Sequence, residues 1–363
     1  MKKYHRSIVF TKVPMKSSFR YKDVFQIFPA QLEKLPFSKL QAHYPNILEY
    51  WTDSEEIVKV PEAFKGLEDL FSLAATTLTK QDKIMAILSV ISNHMFFRYS
   101  DGTGCWGIPM LKEDPGEEAN TWSSKWCMSY FHFPELPDQL KIESFSKQNL
   151  PATTMVPEME YYLYDPNIDF DSKKEISFPD SIVHILDSYY SLAPDILPVI
   201  DTAISHCVSA MEMRQSKKTL SLLAAFTSLE TMVNLEFRDV EAEKCETCGQ
   251  LRYSVARKFR EFLLKYVGKG DKNKRKFNSY YSLRSNIIHT GRQLKSEKLF
   301  SEVSKEESES EFIKQIEILQ ITKLAIIKWI GYNHEVREAT GSIRREPSLK
   351  STLIRRVFRY FKE

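Results

Sequence analysis

The chain has 363 residues, 42% of them apolar and 27% charged, with a formal net charge of +3. That length allows two domains and a sizeable core, and the composition is that of an ordinary globular protein rather than a disordered or fibrous one. So small a net charge does not mark the whole chain for nucleic acid, and any such role must rest on local charge. Five cysteines (Cys105, Cys127, Cys207, Cys245, Cys248) are odd in number and irregularly spaced, unlike a secreted disulfide framework. Met1-Lys2-Lys3-Tyr4-His5 leads into no apolar signal-peptide core, and no run approaches the ~18 apolar residues of a membrane span. These features predict a cytoplasmic protein with no membrane partner.

Residues 1 to about 175 read as an α+β domain. Ser7-Ile8-Val9-Phe10 is strand-like, and a helix is expected from about Gln81 to Phe97, where Ile84, Ile87, Leu88 and Ile91 recur at helical spacing. Thr79 with Asp82 gives that helix a capping-box pattern at its start. Asp101-Gly102, between the aromatic runs 96–100 and 105–108, predicts a hairpin, and Trp126 to Phe133 a third strand. The acidic stretch 113–120 reads as an exposed loop, and the Asp- and Pro-bearing stretch 165–180 as a linker.

From about 180 to 335 nearly everything reads as helix, which predicts an all-α bundle and a chain that is mainly α overall. Asp180 is placed to cap a helix through Ile182, Ile185 and Leu186. A second helix covers about 196–213, either interrupted by Pro198 or beginning there. Lys217 to Phe237 is apolar on most sides, as a central buried helix is. Leu251, Val255, Phe259, Phe262, Leu263 and Tyr266 form one amphipathic stripe, closed by Gly268. A helix from about Lys276 to His289 is stopped by Gly291. Ser304-Lys305-Glu306-Glu307 is a capping box for a long helix through Ile316, Leu319, Leu324 and Ile327, with 301–311 strongly charge-biased and loop-like. A basic amphipathic segment within 340–363 closes the chain. Docking on the bundle, pairing with a partner helix, and contact with RNA or a membrane surface all suit it.

The segment Tyr280-Tyr281-Ser282-Leu283-Arg284-Ser285-Asn286-Ile287-Ile288-His289-Thr290-Gly291 carries the most chemistry. Ser285, Asn286 and His289 share a helix face. Arg284 starts roughly 140° away, so a bend, its own length or a second subunit must bring it to His289. An imidazole can take the proton of a ribose 2′-hydroxyl or protonate the leaving 5′-oxygen. A guanidinium offers a fork of donors to the phosphate as charge grows on it. Arg284 and His289 are therefore the candidate catalytic pair for metal-free RNA cleavage, with Ser285 and Asn286 supporting. The competing reading is that His289 caps a helix end and Arg284 is an ion-pair partner.

This segment resembles the R-x4-6-H motif of HEPN domains, and is most similar to the Apea-like anti-phage group, in which a Tyr-rich helix that includes Tyr281 leads into Arg-Ser, two aliphatics, His and Gly. Ala224-Ala225-Phe226-Thr227-Ser228-Leu229-Glu230-Thr231-Met232 resembles the family's buried helix with its glutamate. The likeness covers roughly 190–335. Ser285 stands where the broader family often has Asn, Asp or His, and the Apea-like group commonly has Ser. The resemblance implies a HEPN helical bundle, a homodimer with its Arg/His pairs facing a shared cleft, and an endoribonuclease of abortive infection. The first domain would then sense or regulate, with a phage-encoded protein as trigger. Glu230 is read either as the partner of a buried Arg or Tyr or as a positioning group for Arg284.

Between Arg252 and Lys276 there are ten Lys and Arg against Glu261 and Asp271. Such a run is either a solvated face or a track for an RNA backbone, with Arg257, Lys258, Lys272, Lys274, Arg275 and Lys276 as its contacts. Cys245-Glu246-Thr247-Cys248-Gly249 is one CxxC knuckle, which suits one corner of a structural zinc site or two free thiols; Cys207 and His206, or a second subunit, would complete the site. No cofactor is expected for catalysis. No P-loop, G-x-G-x-x-G or G-x-S-x-G is present. The rival to a nuclease is a non-catalytic module that binds RNA, nucleotide or a partner protein.

Overall fold

The computed structural model describes residues 2–15, 17–30, 44–53, 66, 68–98, 142–146, 155–156, 175–240, 243–244, 251–252, 255–298 and 303–343. The fold is α+β and mainly helical: an N-terminal antiparallel sheet followed by a helical bundle.

Four strands, β1 (Lys2–Thr11), β2 (Phe19–Tyr21), β3 (Phe25–Pro29) and β4 (Tyr44–Asp53), form the sheet in the order β1-β4-β3-β2. Strand alternation sorts the side chains. Val9, Leu48, Tyr50, Phe25, Ile27, Phe19 and Tyr21 share one face and are buried in the core. The other face carries Arg6, Glu49 and Gln26 as cross-strand neighbours. Glu49 is completely buried. Its Oε1 accepts from Arg6 Nε (2.8 Å) and Ser146 Oγ (2.6 Å), and its Oε2 from Gln26 Nε2 (2.5 Å) and the Ser146 amide (2.9 Å). One carboxylate thereby ties the short segment 142–146 onto the sheet, where Phe145 packs edge-on against Tyr4.

Helix α1 spans Glu68–Ser92, longer at its start and shorter at its end than the expected 81–97. No Gly or Pro interrupts this stretch, so Thr79 and Asp82 lie inside the helix and cap nothing. It stops where Asn93 turns left-handed (φ 61°). Phe97 then bridges antiparallel to Phe10, through amide-to-carbonyl bonds of 2.7 and 3.0 Å. The rest of the expected hairpin, the strand 126–133 and the 113–120 loop lie outside the described residues.

Short strands β5 (Met155–Val156) and β6 (Phe178–Pro179) pair in parallel, so the end of the expected linker is structured. Helices α2 (Ile182–Tyr190), α3 (Leu197–Met213) and α4 (Lys218–Glu236) follow. Ser181, not Asp180, holds the position before α2, and Pro198 sits in the first turn of α3, where its missing N–H costs nothing. Strands β7 (Glu243–Lys244) and β8 (Leu251–Arg252) pair antiparallel. Helix α5 (Val255–Tyr266) buries Phe259, Phe262, Leu263 and Tyr266, whereas Leu251 belongs to β8 and Val255 is exposed, so the predicted stripe loses its first two members. Gly268 follows α5, its amide bonded to the Leu263 carbonyl at 3.2 Å. Helix α6 (Asp271–Thr290) starts a turn earlier than expected and ends at Gly291, whose φ of 63° is the left-handed turn the sequence calls for. Helix α7 (Lys305–Ile343) begins at the predicted capping box: Ser304 Oγ accepts from the Glu307 amide (3.2 Å). Residues 305–311 are therefore helical rather than loop. The basic segment at the C-terminus lies outside the described residues.

The two halves share one core. Leu48 and Ile84 belong to the same buried cluster as Ile204, Leu229 and Leu324. Each such side chain stabilises by roughly 1.5–3 kcal/mol when fully buried. Polar contacts reinforce the join: Tyr21 donates to Asp187 (2.7 Å), and buried Lys323 of α7 donates to Asn93 at the end of α1.

Candidate active site

Helix α6 carries the candidate residues on two opposed sides. At about 100° per residue, Phe277, Tyr280, Arg284 and Ile287 fall together; the three apolar members are 5% exposed or less. Arg284 therefore points inward, across to Glu230 on α4. The two side chains are only 18% and 22% exposed. Arg284 Nη2 donates to Glu230 Oε2 at 2.8 Å. Nε lies 2.6 Å from Oε1, but its N–H is not aimed at that oxygen, so this second contact is ionic without being a proper hydrogen bond. The Tyr281 ring lies beside the guanidinium, 6.0 Å from its carbon, and packs on Phe259. Glu230 is thus the partner of a part-buried Arg, and that Arg is Arg284.

His289 is on the other side, in the last turn of α6, exposed and with no hydrogen bond or ion pair among the described residues. Asn286 is exposed and Ser285 half-buried, and neither side chain bonds to His289. Within one chain the Arg284 fork and the His289 ring face apart by roughly 140°.

Lys272, Arg275, Ser279, Ser282, Asn286 and His289 are all exposed. They fall within an arc of about 100° and extend about 25 Å along the helix. This stripe joins the basic start of α6 to the histidine. Lys272, Lys274 and Arg275 make no ion pair among the described residues. The other predicted contacts are partly engaged: Lys276 is bonded to Glu317 (2.8 Å), Arg257 pairs with Glu261 (3.4 Å), and Lys258 lies over the Phe237 ring.

Two acids that the sequence did not single out hold this frame. Glu317 of α7 accepts from Tyr280 (2.5 Å) as well as Lys276, fixing the inward side of α6. Burial and that carboxylate push the Tyr280 hydroxyl well above its ordinary pKa. Glu236 at the end of α4 accepts from Tyr266 (2.9 Å), Trp329 (2.9 Å) and Lys265 (2.6 Å), binding α4 to α5 and α7. The spacing of Lys276 and Tyr280, four apart on one helix face, was the available signal for Glu317; nothing local marks Glu236.

Cys245 and Cys248 lie outside the described residues, between β7 and β8 in the chain, where Lys244 pairs with Leu251. Cys207 is completely buried in α3, and burial raises its thiol to about 12. It is enclosed in the bundle core. Among the described residues no group of three or more His, Cys, Asp or Glu is arranged to hold a metal, and no helix is long and apolar enough to cross a membrane. Comparison with family models, with curated proteins and with solved structures finds no match to this chain.

Proposed function

We propose that this protein is a metal-independent endoribonuclease of the HEPN type, acting in abortive infection against phage, with Arg284 and His289 as its catalytic pair. The observation that carries the reading is the exposed stripe of α6, basic at one end and ending on an imidazole with no partner among the described residues, one helix side away from an arginine paired with Glu230. RNA lies along Lys272 and Arg275 with its phosphates. His289 takes the 2′-hydroxyl proton as the 2′-oxygen attacks phosphorus; the bond to the 5′-oxygen breaks, and a second imidazole or water protonates it. Arg284 stabilises the charge on the phosphoryl oxygens. The products are a 2′,3′-cyclic phosphate and a 5′-hydroxyl. Because Arg284 and His289 face apart on one helix, the working site is shared by two copies of the chain, and the homodimer is the active form. The N-terminal half regulates, through its common core with the bundle, in response to a phage-encoded trigger.

A second reading has an observation in its favour: Arg284 is already engaged by Glu230, as in a purely structural ion pair. On that reading the bundle binds RNA, nucleotide or a partner protein without cutting. Expression in cells separates the two. The wild-type chain should arrest growth and His289→Ala should be harmless; wild type and variant growing alike favours the binding module.

The CxxC spacing supports a structural zinc held by Cys245 and Cys248, with the remaining ligands from Cys207 and His206 or from a second subunit. Freshly purified protein is then expected to carry zinc near stoichiometry, lost in the double Cys→Ser variant with a fall in stability. Metal analysis by mass spectrometry checks this, and a zinc-free preparation removes the site.

A further inference from the structure

Helix α3 has two sides with different duties. Ala203 and Ala210 accept from the buried Ser228 (2.6 Å) and Ser221 (2.7 Å) hydroxyls of α4, fastening α3 to the helix that carries Glu230. Roughly opposite on α3, Ser205, Val208, Ser209 and Glu212 line a cleft of about 510 Å³ whose far wall is α1. The cleft exists because the facing residues are short. Ala86 on α1 and Ser205 and Ser209 on α3 all line it, and side chains this short do not interdigitate as those of packed helices usually do. Phe96, Met85 and Val208 give it apolar walls.

Its charges are mostly spent. Asp201 pairs with Lys83 (2.8 Å) and accepts from Tyr189 (2.5 Å), and Asp82 pairs with Arg98 (3.2 Å). Glu212, at the mouth, has no hydrogen bond or ion pair among the described residues, and partial desolvation raises its carboxyl pKa. The lining thus carries three acids against two bases, a net of one negative charge. Its size is that of a small-molecule site, and nine of its fifteen lining residues are polar or charged.

We infer that this cleft binds a small organic ammonium ion, with the ammonium on Glu212 and the apolar part of the ligand inside the cleft. An anion of the same shape is excluded, because every cation in the lining already has its acid and the remaining charge is a carboxylate. Tryptamine and indole-3-acetate form the matching probe pair, one ring system with opposite end charge. Isothermal titration of the full chain should show saturable one-to-one binding of tryptamine and none of indole-3-acetate. Glu212→Gln should weaken tryptamine at least about tenfold, and Ser209→Phe, which fills the cleft, should abolish it; Ala86→Leu gives a second filling variant if Ser209→Phe melts early. Absence of tryptamine binding at millimolar concentration, equal binding of the two probes, or indifference to Glu212→Gln overturns the assignment. The readout is binding alone, so its result is separate from that of the nuclease assay.

Discussion

His289→Ala is expected to lower the rate of RNA cleavage by roughly 10²–10⁴, the usual contribution of a positioned general acid or base, while leaving RNA affinity nearly unchanged. The reason lies in the geometry of α6. On the proposed function, affinity would rest on Lys272, Lys274 and Arg275 near the start of the helix, and among the described residues the imidazole at the other end has no hydrogen bond or ion pair to lose. Arg284→Lys should also be severely impaired. The fork of Arg284 spans both oxygens of Glu230, and an ammonium on a flexible stem cannot both hold that carboxylate and present fixed donors to a phosphate. Single-turnover cleavage of a labelled RNA, paired with fluorescence anisotropy for binding, checks both variants. A loss of binding in parallel with rate would assign His289 to the RNA track rather than to the chemistry.

Glu49→Ala is expected to destabilise the fold by about 3–5 kcal/mol, the cost of removing one partner from a buried ion pair. The carboxylate is fully buried and serves five donors from three residues. Without it the Arg6 guanidinium, whose side chain is 17% exposed, and the buried Gln26 amide lose their acceptor together. Residues 142–146 lose their tie to the sheet as well. Urea unfolding followed by circular dichroism measures the first effect, and faster proteolysis near Ser146 reports the second. A change below about 1 kcal/mol, the scale of an exposed ion pair, would mean that the network does not hold the sheet face.

What could be read in advance followed the range of the interactions involved. The bundle was legible because its helices are written in local periodicity and punctuation: the buried run of α4, the capping box at Ser304 and the left-handed Gly291 are each fixed by neighbours in sequence. Local signals also misled where the context overrode them. Thr79 and Asp82 make a capping pattern, yet no helix breaker precedes them closely, so α1 runs straight through. Leu251 and Val255 continue the stripe of α5 in sequence but not in space, because β8 interrupts it. In the candidate site, the opposed placement of Arg284 and His289 on α6 followed from 3.6 residues per turn. The partner of Arg284 was open: the distance from Glu230 to Arg284 in sequence is 54 residues, and only the packing of α4 on α6 selects that pairing over another buried Arg or Tyr. The sharing of one core by the sheet and the bundle was not legible at all, since α1 reads as a self-contained amphipathic helix whichever half it packs against. It follows that residues 180–335 alone would leave the surfaces that meet α1 open, so function is best assayed on the full chain.

The most direct test of the account incubates the purified full-length chain with end-labelled RNA in excess EDTA, wild type beside His289→Ala. The proposed catalytic pair would need no metal, since an imidazole would move the protons and a guanidinium would hold the phosphate. The account predicts cleavage by the wild type that chelator does not touch, fragments ending in 2′,3′-cyclic phosphate and beginning with 5′-hydroxyl, and little or no cleavage by the variant. Activity that disappears with EDTA, or that His289→Ala retains in full, would contradict it.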